Sequence, residues 1–286
     1  MKNILVLAYQ LSPTKGSEYS VAWNYVIRMS KYNRLTVLYG ASGEHLGDCS
    51  EMEEFAQTNI LPNVTFICIK PNKWTNALNW CNRHNFLNYT FYIAYRSWQK
   101  QVYKVVKKLV QNEKFDLIHF VGPIGYREPG YLWRIDLPYM WGPIGGTNSS
   151  SIILAKHISK MSQLKFIFRN WVNDFQLKYQ KRLRRALKKT DLLLTSTSEN
   201  QQIFKSLLHK DSYYLPENAI TSEIKLNRQK FIRKGEYHFI FVGSLIPRKA
   251  VNILLEALTL IKNKEKIVVD IVGDGPERHT LEVFAQ

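Results

Sequence analysis

The 286-residue chain has little of several features that mark particular classes of protein. Its three cysteines, Cys49, Cys68 and Cys81, form no C-x-x-C pair, which argues against a zinc site and for a reducing compartment. No apolar run approaches the roughly 20 residues that span a bilayer. The apolar start at residues 1–9 is short and lacks a small-residue cleavage site, so it predicts a first buried strand rather than a signal peptide.

Acidic residues are also scarce, with 23 Asp and Glu against 40 Lys and Arg, and the formal net charge is +17. Such an excess suggests an anionic partner, which is nucleic acid, a membrane surface or a phosphorylated ligand. The chain has neither a zinc-finger pattern nor an RNA-recognition signature, so nucleic acid remains the minor alternative and we expect no such partner. Apolar residues make up 45% of the chain, enough for the cores of two modest domains.

The most informative stretch is 237–277, which contains two apolar runs that each end in glycine. Residues 239–242 and 267–272 are rich in β-branched and aromatic side chains and predict buried strands. Residues 251–261 between them have apolar side chains at helical spacing. A strand–loop–helix–strand unit implies parallel strands in a doubly wound sheet, where ligands bind at the carboxyl ends of the strands.

The two glycine loops have the groups that a diphosphate needs. Gly243 permits close approach to the backbone, and Arg248 and Lys249 stand beside a predicted helix start with its positive dipole end. Gly273 and Gly275 leave room for a flat ring or a ribose. Either loop alone is equally consistent with an ordinary surface turn. Two such loops on neighbouring strands favour a nucleotide or phosphate site.

These residues resemble a known family. The runs FVGSLIPRK at 241–249 and IVGDGPER at 271–278 resemble the nucleotide-sugar half of family 4 (group 1) retaining glycosyltransferases. Residues 12–18, 127–133 and 141–146 resemble amino-terminal segments of the same family. The resemblance implies an α/β protein of the GT-B fold, with two Rossmann-like doubly wound domains. We expect an acceptor-side domain at 1–216 and a partial nucleotide-sugar-binding domain at 217–286.

The resemblance also assigns roles to residues of this chain. The expected donor-binding set is Gly16, Gly243, Ser244, Arg248, Lys249, Gly273, Asp274, Gly275, Pro276 and Glu277. The expected acceptor-side set is Ser17, Glu18, Gly145 and Gly146. The candidate catalytic residues are His119, Arg127 and Glu128. Several of these residues have a plainer alternative role. Ser17 and Glu18 could cap the helix that follows, and Arg127 could pair with Glu128. His119 could be a hydrogen-bonded core histidine, because the family's catalytic position falls nearer Phe120 or Val121.

Two departures from the family pattern matter. Ser244 stands where the family commonly has an arginine, and the family's pair of glutamates seven residues apart would lie beyond Gln286. We therefore expect a fragment or a truncated gene product whose donor domain is incomplete. The chain also has no Asp-x-Asp motif, so we expect no metal and no cofactor, with Arg248, Lys249 and the helix dipole stabilising the leaving diphosphate instead.

Two further stretches bear on partners. Residues 154–187 have apolar side chains at steps of three and four, and 156–189 hold eleven Lys or Arg with Asp174 as the sole acid. This pattern predicts one or two basic amphipathic helices that either face solvent or lie on an anionic membrane. The aromatic-rich stretch 74–98 has no clear period, and it either packs in the core or forms a patch facing the membrane or the acceptor.

The sequence thus predicts a glycosyltransferase that moves a sugar, with retention, from a nucleotide-sugar to a polysaccharide or lipid-linked acceptor. We expect it in bacterial surface glycan synthesis, in the cytoplasm and peripheral on the inner face of the cell membrane. The alternative is a truncated, inactive chain that acts only as an acceptor-binding or membrane-binding module.

Overall fold

The computed structural model describes residues 1–84, 86, 90–123, 125–149, 160–218, 223, 225–231 and 235–285. The chain divides into two compact units. Unit 1 comprises Met1–Asn148 and Asn173–Ala219, and unit 2 comprises Ser149–Val172 and Ile220–Gln286. The predicted domain boundary between residues 216 and 217 stays a prediction.

Unit 1 is built on a seven-stranded sheet in which every neighbouring pair of strands is parallel. The strand order is β3-β2-β1-β4-β5-β6-β7. The sequence pattern predicts strands at 2–9, 34–39, 64–69, 115–121, 139–141, 191–196 and 213–216, and each predicted end lies within three residues of the observed one. Their bounds are β1 Asn3–Ala8, β2 Arg34–Tyr39, β3 Val64–Cys68, β4 Leu117–Gly122, β5 Tyr139–Ile144, β6 Leu192–Thr195 and β7 Tyr213–Tyr214.

The helices fall between the strands, as parallel pairing requires. Those between β1 and β7 are α1 Glu18–Met29, α2 Ser50–Thr58, α3 Lys73–Arg83, α4 Thr90–Asn112, α5 Lys160–Tyr179, α6 Lys181–Lys189 and α7 Ser198–Leu208. The aromatic stretch without a clear period is the hairpin of α3 and α4. The long basic amphipathic pattern corresponds to α5 and α6, while its start at 154–159 lies outside the described residues.

Both faces of the unit 1 sheet are buried, which is typical of parallel sheets. Leu5 and Leu7 of β1 join one core cluster, and Ile4, Val6 and Ala8 join the other, as the alternation of side chains along a strand requires. Helix α4 covers the first face with Trp98, Val102 and Val106, while α1 and α2 cover the second face with Val26 and Met52.

Unit 2 contains a parallel pair of strands, β8 Tyr237–Val242 and β9 Ile267–Val272. Helices α8 Val251–Thr259 and α9 Arg278–Ala285 pack a small core of Leu245, Val251, Leu255 and Leu281. The expectation that both strands are buried is wrong in the described part of this unit, where Ile240 is 68% exposed and Val242 70%. The small core packs against the face of the strand pair that carries Phe241 and Ile271. Ile240 and Val242 lie on the other face, which this core does not cover.

A reducing compartment, as the sequence predicts, usually leaves cysteines unpaired. Cys49 and Cys68 form a disulfide with their Cα atoms 6.6 Å apart, and Cys81 is free. The pair joins the residue before α2 to the last residue of β3. Parallel pairing of β2 with β3 brings these two positions together, a proximity that a separation of 19 residues does not reveal. None of the described helices has the length and apolar character needed to cross a bilayer.

Gly142 in β5 offers a test of how tightly the unit 1 sheet is packed. Its φ is +125°, and a Cβ there would strike the backbone oxygen of Leu194 in β6, with the carbonyl carbon 2.9 Å away. We expect Gly142→Ala to lower the free energy of unfolding by about 2 kcal/mol or more, because the strained dihedral and the clash add. Urea unfolding measures this change.

Gly125→Ala is the matched control for Gly142→Ala. In the described part of the chain, no atom lies within 4 Å of the position that a Cβ on Gly125 would take. Equal unfolding midpoints for the two variants would contradict the packing described.

Candidate active site

The carboxyl edge of unit 2 brings the two glycine loops together. The ladder of β8 and β9 continues past the strands through backbone hydrogen bonds from Gly243 N–H to Val272 O at 3.0 Å and from Leu245 N–H to Asp274 O at 2.9 Å. Glu277 N–H then donates to Leu245 O at 3.1 Å. The loops at 243–249 and 273–277 therefore form one continuous surface.

The glycines of the second loop have a different role from the one expected. A Cβ on Gly273 would strike Gly243 O, and a Cβ on Gly275 would strike Leu245 O. The space at these two positions is occupied by the backbone of the first loop rather than left for a ring or a ribose. Glycine is required there because the loops themselves approach closely.

The predicted cations lie in the first loop. Arg248 and Lys249 belong to a single 3-10 turn, Pro247–Lys249, and both side chains are exposed. Ala250 then adopts a left-handed conformation with φ of +55°, and α8 begins at Val251. In the described part of the chain, neither cation has a carboxylate within ion-pair distance. Two exposed cations beside a helix start suit an anionic ligand.

The acids of the second loop are held locally. Asp274 accepts a hydrogen bond from Gly275 N–H at 2.8 Å and lies 3.8 Å from the Arg278 guanidinium. Arg278 in turn pairs with Glu282 at 2.8 Å. Burial raises the pKa of the Glu277 carboxyl above its ordinary value. Ser244 and Pro276 are exposed on the same edge, so the structure brings together every predicted donor-binding residue of unit 2.

In unit 1, the loop after β1 is fixed to α2. Glu51 accepts hydrogen bonds from the hydroxyls of Ser12 and Thr14 at 2.5 Å each, and Lys15 lies 3.7 Å from the same carboxylate. Gly16 faces open space, since none of the described residues has an atom within 4 Å of the position that a Cβ on Gly16 would take. Ser17 is the residue before α1 but makes no capping hydrogen bond with its side chain, and its φ is +59°. The expectation that Ser17 caps α1 is therefore wrong.

Glu18, in the first turn of α1, lines a pocket of about 340 Å³ at the carboxyl edge of this sheet. None of its other lining residues belongs to the predicted sites: Tyr9, Gln10, Glu44, His45, Leu46, Asn82, Phe91 and Pro123. A neighbouring pocket of about 430 Å³ shares His45 and Leu46 and adds Lys70, Asn76 and Arg83 among others. Carboxylates, amides and aromatic rings are suited to the hydroxyls and apolar faces of a sugar. These residues come from separate loops and helices, so no single motif revealed them.

His119 lies in the core rather than in the pocket. It is 1% exposed, and its Nε2 lies 2.7 Å from Gly142 O. The Tyr25 ring stands edge-on against the imidazole, with the ring centroids 4.6 Å apart. Burial lowers the pKa of His119 to about 4, against the smaller opposing effect of the Gly142 hydrogen bond. A neutral imidazole therefore donates its Nε2 proton to Gly142 O. Val121, rather than His119, lines a small crevice at the carboxyl edge of the sheet together with Gln10 and Glu18.

Arg127 and Glu128 do not pair with each other. The Glu128 carboxylate is buried between two guanidiniums, with Arg96 at 2.6 Å and Arg182 also in contact. Arg127 donates to Asn173 Oδ1 at 2.6 Å and to Gln176 Oε1 at 3.0 Å. Both side chains thus fasten the loop after β4 to helices α4, α5 and α6.

Gly145 and Gly146 lie beside this loop. Gly145 O accepts a hydrogen bond from Tyr126 N–H at 3.3 Å, and Gly146 has φ of +77° with Arg127 Nη1 3.7 Å from a built Cβ. Thr147 donates its hydroxyl to Asn200 Oδ1 at 2.5 Å, and its carbonyl accepts from Asn173. The glycine pair therefore belongs to a fixed polar network at the carboxyl edge of unit 1.

Comparison with known proteins agrees with this geometry. A family model described as Glycosyl transferases group 1 matches residues 222–286. This segment is similar to the group 1 glycosyltransferases. It contains β8, β9, α8, α9 and both glycine loops, so the whole unit 2 site lies within the group 1 segment. No curated protein sequence matches the chain.

Solved structures similar to the chain are GT-B glycosyltransferases. The apo galactosyltransferase WaaB of the lipopolysaccharide outer core aligns with a TM-score of 0.51 at 14% identity, over 99% of this chain and 64% of that one. TarM aligns with a TM-score of 0.52 at 9% identity, over 99% of this chain and 74% of that one. These likenesses confirm the predicted α/β GT-B fold.

The glycosyltransferase WaaG, involved in lipopolysaccharide biosynthesis, aligns at 15% identity with a TM-score of 0.47, over 99% of this chain and 66% of that one. The chain therefore spans slightly less than two thirds of the length of WaaG and WaaB. Among the described residues, no group of three or more His, Cys, Asp or Glu side chains is arranged to hold a metal ion.

The burial of His119 predicts a pH dependence of stability. The folded pKa of about 4 lies below the unfolded value of about 6.5, so the unfolded chain binds a proton that the folded chain excludes. Stability is therefore lost as pH falls from about 6.5 to 4, by on the order of 3 kcal/mol from this residue. Urea unfolding across this range should show a flatter pH slope for His119→Gln than for the unaltered protein.

The exposed His279 provides the control for that measurement. His279→Gln should keep the slope of the unaltered protein. Identical slopes for His119→Gln and His279→Gln would contradict the assignment.

Proposed function

We propose that the protein transfers a sugar from a nucleoside-diphosphate donor, with retention of configuration, to a polysaccharide or lipid-linked acceptor in bacterial surface glycan synthesis. The observation that carries this proposal is the paired glycine loops of the group 1 segment, with Arg248 and Lys249 exposed beside them. The similar solved structures support only the fold, and the residues of this chain support the chemistry.

The donor diphosphate binds against the first loop of unit 2. Its negative charge grows when the bond to the sugar breaks, so cations fixed nearby stabilise the transition state more than the ground state. Arg248 and Lys249 supply that charge, and the N–H groups at the start of α8 add to it. We propose that these groups act without a metal, in keeping with the lack of an Asp-x-Asp motif in the sequence.

Retention follows if the acceptor attacks the face from which the diphosphate leaves. The bond between the anomeric carbon and the phosphate oxygen breaks, and the bond to the acceptor oxygen forms on the same side. The departing phosphate takes the hydroxyl proton, so no nucleophile from the protein is required. This route agrees with the burial of His119 in the core, away from any reacting group.

The acceptor binds at the carboxyl edge of unit 1. The pocket there is lined by Glu18, Glu44 and Asn82, which can hydrogen-bond hydroxyls, and by the rings of Tyr9 and Phe91. We further propose a cytoplasmic location, peripheral on the inner face of the membrane, where the Cys49–Cys68 pair would be reduced. The net charge of +17 supports attachment to an anionic surface, since each Lys or Arg near it contributes on the order of 1 kcal/mol of attraction.

A second candidate function is an acceptor-binding or membrane-binding module without catalysis. It is favoured by the well-packed core and the pocket of unit 1, in contrast with unit 2, where no residue of β8 or β9 is fully buried. Release of nucleoside diphosphate from nucleotide-sugars by this chain separates the two. Release above the blank supports transfer, and its absence across UDP- and GDP-sugars supports the module.

The double variant Arg248→Ala/Lys249→Ala tests the donor site. We expect UDP or GDP to bind at least tenfold more weakly, because charged hydrogen bonds contribute about 1.5–3 kcal/mol each and 1.4 kcal/mol is a factor of ten. Titration calorimetry in the presence of EDTA measures the dissociation constant and tests metal independence together.

A variant of equal charge, Lys262→Ala/Lys264→Ala, is the control, because these two cations follow α8 instead of preceding it. It should bind the nucleotide like the unaltered protein. An equal loss in both variants, or in neither, would overturn the assignment of Arg248 and Lys249.

A further inference from the structure

Helix α5 presents an apolar stripe to solvent. Six side chains recur at steps of three and four, and each is between 52% and 65% exposed: Met161, Leu164, Phe168, Trp171, Phe175 and Tyr179. At 3.6 residues per turn, they fall within an arc of roughly 80° on the helix. The rings of Phe168 and Trp171 stack with their centroids 6.1 Å apart, so the stripe is largely aromatic.

The opposite face of the same helix is fixed to unit 1 along its carboxyl-terminal part. Asn173 and Leu177 are buried there. Tyr126 donates its hydroxyl to Asn173 Oδ1 at 2.8 Å, and Arg127 donates to Gln176 at 3.0 Å. These contacts belong to the part of α5 that lies in unit 1, from Asn173 onwards, and they leave Phe175 and Tyr179 of the stripe on the solvent side of that part.

Charge of one sign flanks the stripe. Helical geometry places Lys160 and Lys178 on one margin and Lys165 and Arg169 on the other. Over 160–189, which covers α5 and α6, there are ten Lys or Arg and a single acid, Asp174. A helix face that mixes exposed aromatic side chains with cations is the pattern of helices that lie in the interface of an anionic bilayer.

Two other occupants fit less well. A second copy of the chain would set one basic helix against another, and like charges oppose such an interface. A nucleic acid would meet the cations, but a continuous stripe of large apolar side chains would remain uncovered beside its phosphates. A lipid surface satisfies both features at once, because anionic headgroups meet the cations while the aromatic rings enter the acyl boundary.

We propose that α5 docks the protein on an anionic phospholipid bilayer, with the stripe from Met161 to Tyr179 inserted at the interface. This deepens the location part of the proposed function and is independent of catalysis. The helix is fastened to the loop after β4 through Tyr126 and Arg127, and Pro123 of that loop lines the acceptor pocket.

Sedimentation of the full chain with vesicles tests the surface. We expect binding to phosphatidylglycerol vesicles and at least tenfold weaker binding to phosphatidylcholine vesicles. Phe168→Ser/Trp171→Ser should lower the affinity for the anionic vesicles at least tenfold. The matched control is Trp74→Ser/Trp80→Ser, which removes two tryptophans of α3 that are 68% and 57% exposed and should leave binding unchanged.

The outcomes are distinct. Equal losses in the two double variants, no binding to anionic vesicles, or binding to duplex DNA in place of vesicles would each overturn the proposal. So would a dimer in analytical ultracentrifugation that Phe168→Ser/Trp171→Ser dissociates. Nucleoside diphosphate release without lipid is measured in parallel: its absence alongside normal vesicle binding counts against the catalytic proposal alone, and its presence alongside absent vesicle binding counts against the docking surface alone.

Discussion

The backbone hydrogen bonds that join the loops after β8 and β9 are the interactions on which the proposed donor site depends. Leu245 N–H donates to Asp274 O, and Glu277 N–H donates back to Leu245 O. The pairing extends a parallel ladder beyond its strands, so the first loop cannot move without the second. Arg248 and Lys249 acquire a defined position from this pairing, since their own side chains are exposed and have no ion-pair partner in the described chain.

A comparable constraint operates in unit 1, where it depends on side chains. Glu128 is buried between Arg96 and Arg182, and Arg127 is bonded to Asn173 and Gln176 of α5. Removing one member of a buried charged cluster leaves its partners uncompensated, so these residues hold the loop after β4 in one place. The same cluster fixes the part of α5 that belongs to unit 1, from Asn173 to Tyr179.

The sequence predicted the fold because hydrophobic periodicity and glycine turns are local signals. The runs that became β1, β2, β8 and β9 are short and mostly apolar, as buried parallel strands are, and the carboxyl-edge location of the loops follows from parallel pairing alone. The resemblance to the group 1 family supplied the rest of the candidate donor site. The aromatic stretch that became α3 and α4 escaped assignment because its apolar side chains cover several faces instead of a single stripe.

Features that depend on contacts between distant residues could not be predicted in this way. Gly273 and Gly275 looked like space for a ligand, but the backbone of the neighbouring loop fills that space. Cys49 and Cys68 are joined only because β2 and β3 are neighbours. The pocket residues His45 and Asn82 come from a loop and a helix that fold together, and neither stands in a motif.

The most direct test of the account is nucleotide binding by Gly273→Ala. The added methyl group would strike Gly243 O and force the two loops apart. Hydrogen exchange at the Leu245 amide reports that separation, and titration with UDP and GDP reports the affinity. The account predicts faster exchange at this amide together with at least tenfold weaker nucleotide binding. Faster exchange with unchanged affinity would contradict it.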